Sequence, residues 1–270
     1  MSHRVGLSVL VFLAVAFFSP VLRAQAPKQA GTTASKVPDL SGDWALDSMK
    51  GGIGQSISLS DPQGKLRGKE PDIPYQPWAL QKMLSEYPPT GPDTQYDKTT
   101  DPYIRYCEPL GIMRIYMYPA RTKFIQTADA VYILHEQGQQ FRIVRLNSKH
   151  PDDLDPQYWG DSIGWYEDGD TFVVDSVGFN DRSWLDQLGH PHTDKLHVIE
   201  RYKAIDKDHI QLDATIDDPG AYTKPFPSRR NFTRPKVPFM QNPWVCSERE
   251  NQEHFDNLAK PAMGPSASNN

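Results

Sequence analysis

Ile163-Gly164-Trp165-Tyr166-Glu167-Asp168-Gly169-Asp170-Thr171-Phe172-Val173-Val174-Asp175-Ser176-Val177 is the stretch on which the fold turns. Two β-prone runs flank Asp168-Gly169, the dipeptide favoured where both central residues of a two-residue hairpin need positive φ. Working outward, residues 196–202 and 210–216 flank an Asp206-Lys207-Asp208 turn, and residues 131–136 and 141–146 flank Gln137-Gly138, so two more hairpins are predicted. Residues 40–46, entered through Ser41-Gly42, read as a first strand, and residues 229–234 and 243–246 as weaker ones. One segment keeps a helical period. Pro77 suits a first helical position, Trp78, Leu80, Met83 and Leu84 follow at helical spacing, and Pro88-Pro89 stops the run. The period of two is expected from about Tyr103 onward. The fold class expected is all-β: an antiparallel meander of eight to ten strands with one short N-terminal helix. It would hide its edges by closing into a barrel or by folding into a two-sheet clam.

Composition narrows the function classes. The 270 residues carry 29 basic and 34 acidic side chains, a net charge of −5. An acidic chain without a basic block is a poor partner for nucleic acid or anionic lipid. Its 24 prolines speak against a helix bundle. At the amino terminus His3 and Arg4 lead an apolar run over residues 5–18, too short to span a bilayer. Leu22-Arg23-Ala24-Gln25-Ala26 follows, with cleavage after Ala24 or Ala26, so residues 1–26 read as a signal peptide. Residues 27–38 read as a flexible leader, 39–250 as a single β domain and 251–270 as a mostly disordered tail. The expected location is periplasmic or secreted, with no membrane anchor. In an oxidising compartment Cys107 and Cys246 favour one disulfide over two buried thiols.

Gly42-Asp43-Trp44 at the head of the first strand resembles the Gly-x-Trp opening of lipocalin-like barrels, in which the tryptophan closes one barrel end. A longer likeness runs from Gly160-Asp161-Ser162-Ile163-Gly164-Trp165 through residues 173–181 to Trp184-Leu185-Asp186 and Gly189-His190-Pro191-His192-Thr193-Asp194. It is similar to a family of exported bacterial proteins, over about residues 39–246. The resemblance implies export and a lipocalin-like β fold, and it implies no reaction.

The densest polar cluster holds Asn180, Asp181, Trp184, Asp186, His190, His192, Asp194, His197 and Glu200. His190 and His192 would project to one side of an extended chain, as two ligands of one metal do, with His197 as a third. Pro191 interrupts that strand, and Leu196 and His197 stand where a cupin places its glutamate. No cofactor is therefore expected, and a metal at His190, His192 and His197 is an alternative. Asp175 shares a strand face with Val173 and Val177. Facing inward, it would be a buried carboxylate fit for general acid–base work beside a histidine; facing outward, a solvated charge. Both readings stay open. The catalytic candidates are Asp175, His190, His192 and Asp181. The ligand-binding candidates are Trp165, Trp184, Asn180 and Tyr132, which with Trp44, Trp78 and Trp159 would line a cavity. Gly160-Asp161-Ser162-Ile163-Gly164 spells a nucleophile elbow, but a hairpin turn follows where the elbow needs a helix. The function expected is an exported binder of a small, partly apolar molecule; whether it only binds or also acts as a cofactor-free acid–base isomerase, lyase or hydratase stays open. A metal enzyme, a serine hydrolase built on Ser162 and a non-catalytic carrier are the alternatives.

Overall fold

Nine strands close into one barrel in chain order: β1 (Gly42–Ser48), β2 (Arg121–Gln126), β3 (Ala130–His135), β4 (Gln140–Leu146), β5 (Asp161–Glu167), β6 (Thr171–Val177), β7 (His197–Ala204), β8 (His209–Asp217) and β9 (Phe226–Thr233). The computed structural model describes residues 37–48, 73–86, 100–118, 120–187, 189–240 and 246–258. The predicted signal peptide and almost all of the leader lie outside that set. The helix predicted from Pro77 is α1 (Pro77–Glu86).

The expected meander needs one correction. Directions alternate around a closed ring only when the number of strands is even, so nine strands force one parallel contact. It falls between β4 and β5, at Val144↔Ser162, Arg145↔Ile163 and Leu146↔Gly164; every other neighbouring pair is antiparallel, including β1 with β9. A parallel neighbour cannot be reached by a tight turn. Residues 147–160 therefore leave the end of β4 and return to start β5 beside Val144. This connection packs along the far end of β6, where Gln157 bridges Phe179 and Leu154 lies against Gly178.

Residues 102–118 are also not extended as expected. Asp101 caps α2 (Pro102–Tyr106) by accepting from Tyr103 N at 3.0 Å, with Pro102 at the helix start. A 3-10 turn over Arg114–Met117 follows, and all four of its residues are buried. Arg114 is forked onto Asp101 at 2.6 and 2.5 Å. Helix α3 (Glu248–Leu258) runs from the end of the predicted β domain into the predicted tail. It is tied to α2 by the Cys107–Cys246 disulfide, with Cα atoms 5.6 Å apart.

Inward side chains such as Ile133, Val144, Phe172, Val174 and Leu212 form one core with Leu110, Ile115 and Tyr116 from the segment after α2. Trp44 is buried, donates to Leu40 O at 2.7 Å and is covered by the Arg234 guanidinium 3.7 Å above its ring. No helix among the described residues is long and apolar enough to cross a membrane.

Candidate functional site

On β6, Phe172, Val174 and Ser176 point into the barrel, which leaves Val173, Asp175 and Val177 on the outer wall. The inward alternative for Asp175 is thereby corrected, and so is its reading as a simple solvated charge. Its side chain is only 21% exposed. Ile163 of β5 and Ile199 of β7 stand directly across from it on either side.

Two imidazoles converge on its carboxylate. His197 Nε2, from the start of β7, lies 2.8 Å from Asp175 Oδ1. His150 Nε2, from the 147–160 connection, lies 3.4 Å from the same oxygen. His150 is fixed from behind, its Nδ1 being 2.6 Å from Asp161 Oδ1. Arg145 holds Asp161 in turn with two contacts of 2.5 and 2.8 Å. Burial works to raise the Asp161 pKa, but the hydrogen bonds from Arg145 and His150 prevail and hold it below the ordinary carboxylate value. A carboxylate only accepts, so Nδ1 of His150 carries the proton and its Nε2 presents a lone pair toward Asp175. By the same rule His197 donates through Nε2. Within the chain Arg145–Asp161–His150–Asp175–His197, the Asp175 carboxylate and the His150 lone pair can share a proton taken up from outside.

The other predicted residues are dispersed. His190 is fully buried, with Nδ1 2.5 Å from Asp186 Oδ2. His192 is buried; its Nε2 is 3.0 Å from Ser183 Oγ and its Nδ1 3.3 Å from Thr193 O. Burial lowers the His192 pKa against the opposing backbone hydrogen bond and the charges of Asp218 and Asp181. Asp181 itself is exposed. Neither His190 nor His192 bonds Asp175; their carbonyl and carboxylate partners come from their own loop. Asn180 Oδ1 accepts from Arg182 N, and Trp184 is buried beneath the Arg114 guanidinium. Trp165 and Tyr132 stand on the outer wall, while Trp159 stacks on inward-facing His135 at 5.4 Å, so the aromatics do not line one cavity. Among the described residues no group of three or more His, Cys, Asp or Glu side chains is arranged to hold a metal. Ser162 points inward and bonds Ser176 Oγ at 2.8 Å; Gly160-Asp161-Ser162-Ile163-Gly164 runs into strand and forms no elbow.

The sequence reading missed His150, Asp161 and Arg145 as partners of Asp175. His150 lies in a connection without periodicity, and only the β4–β5 register delivers it to β6. Comparison with protein families, curated proteins and solved structures returns no match.

Proposed function

We propose that this chain is an exported protein that binds a small, partly apolar molecule on the outer barrel wall and transfers a proton on it, as an isomerase does. The observation that carries this reading is the convergence of His150 Nε2 and His197 Nε2 on one oxygen of Asp175. Asp175 takes a proton from a carbon acid, shares it with the lone pair of His150 Nε2 3.4 Å away, and returns the same proton to another atom of the molecule. Ile163 and Ile199 beside Asp175, with Trp165 one strand position further along, supply the apolar ground for such a substrate. With Arg145 matched by Asp161, the Asp175 charge disfavours an anionic substrate. The signal-like amino terminus and the Cys107–Cys246 bond support export.

The test is deuterium incorporation from D₂O into a panel of small neutral ketones and enones, followed by proton NMR with the full chain. Wild type should accelerate exchange on at least one member. Asp175→Asn and His150→Gln should lose about 100-fold or more of that rate at unchanged melting temperature. An inert wild type, or variants that exchange equally fast, overturns the proposal; binding without exchange would leave a carrier.

A further inference from the structure

Beside α1, where Trp78 Nε1 donates to Gly220 O and Ala79 packs with Ala221 and Tyr222, lies a second arrangement, independent of the outer-wall site. Residues 73–76 run beside 221–223: Gln76 N donates to Ala221 O at 2.7 Å, Thr223 N to Pro74 O at 2.7 Å, and Tyr75 bridges Tyr222. This rung places the Tyr75 ring on His190, with centroids 5.7 Å apart and planes within 10°. His190 is pinned elsewhere on its surface. Its backbone N donates to Asp186 Oδ1 at 3.3 Å, its carbonyl accepts from Leu185 N at 2.9 Å, and its Nδ1 sits 2.5 Å from Asp186 Oδ2. Nδ1 meets Asp186 Oδ2 as an ion-pair contact and not as an aligned hydrogen bond; with the proton on Nδ1, Nε2 bears a lone pair. That nitrogen is buried and has no hydrogen-bond partner, and the same is true of the Tyr75 hydroxyl. The neighbouring Tyr222 hydroxyl is committed to Pro191 O at 2.7 Å. Burial, and then the charge of Asp186, raise the Tyr75 pKa far above neutrality, so its hydroxyl stays a donor.

An acceptor and a donor thus stand on adjacent stacked rings, closed from water and without use inside the fold. Buried polar groups are almost always paired, and an exception calls for an explanation. A hydroxyl group is the simplest partner for both, because one oxygen donates and accepts. Ile73, Leu80 and Tyr75 itself pack against buried Met83, an apolar surround that suits a hydrocarbon body. We infer that His190 Nε2 and the Tyr75 hydroxyl form a binding site for the hydroxyl of a small alcohol or phenol, which donates to His190 and accepts from Tyr75.

The probe is phenol, titrated into the full chain while the His190 ring nitrogens are followed by NMR and melting is followed in parallel. Wild type should show saturable shifts at His190. Tyr75→Phe, which keeps the ring, should melt higher than wild type without phenol because it removes an unpartnered buried hydroxyl. The same variant should bind phenol about tenfold more weakly or worse. Asp175→Asn should bind phenol as wild type does, which separates this site from the outer wall. Non-saturating shifts in wild type, or unweakened binding by Tyr75→Phe, overturns the inference.

Discussion

Arg142 of β4 and Glu200 of β7 meet inside the barrel as a sealed fork, with Nη2 2.6 Å from Oε2 and Nη1 3.2 Å from Oε1. Neither side chain exceeds 1% exposure. Tyr202 donates to Glu200 Oε1 at 2.6 Å, the Tyr116 hydroxyl joins Tyr202 at 2.6 Å, and Ser162 and Ser176 approach Arg142 from the two strands between. The pair clamps four consecutive strands, including the single parallel contact. Burying two charges costs much of what their attraction returns, whereas removing one partner leaves the other stranded. Glu200→Leu or Arg142→Met alone should lower stability by about 3–5 kcal/mol, and the double variant Arg142→Met/Glu200→Leu should recover most of that loss. Urea denaturation of the three variants checks it; additive losses in the double variant would contradict it.

His135 faces the same interior, and burial first, then the Arg142 charge, depress its pKa to about 3. The unfolded chain takes up that proton near the ordinary value of 6.5, so between those values it binds more protons than the folded chain. The contribution is therefore complete above pH 6.5 and lost as pH falls toward 3, by up to roughly 5 kcal/mol. His192, also depressed by burial, adds loss on the acid side of pH 6.5. Melting curves at pH 7, 5 and 4 should show a steeper loss in wild type than in His135→Gln; parallel slopes would refute the assignment.

Gly164 is a packing glycine. A Cβ there would lie 2.7 Å from Val144 Cγ1 and 2.9 Å from the Val173 carbonyl, and backbone cannot yield. Gly164→Ala should cost about 1–3 kcal/mol, measured by thermal melting. A neutral substitution would show that β5 has room to shift.

The Cys107–Cys246 bond joins α2 to α3 across 139 positions of chain. Reduction, or Cys107→Ser with Cys246→Ser, should lower stability by about 2–4 kcal/mol. Melting with and without reductant reads it, and insensitivity to reductant would remove the bond from the stability of the fold.

Much of the barrel was legible because alternation and turn chemistry are local. Asp168-Gly169 marks the β5–β6 hairpin, with both residues at positive φ, and the Val173/Asp175/Val177 face was read as a unit. The candidate site was legible only in half. Asp175 stood out, but its partners were sought at His190 and His192, which fold back onto Asp186 and Ser183 through contacts within their own loop. His197 lay within the same polar cluster, whereas His150 carried no local signal.

The sequence by itself determined that this chain alternates and turns as a β protein, because strand period and hairpin dipeptides act over a few residues. Only the tertiary structure decided that nine strands close the ring, that one contact must then run parallel, and that the returning segment carries His150 across to Asp175. Which face of β6 is inside, and which imidazole reaches the carboxylate, depends on register and closure, and these are properties of the whole ring.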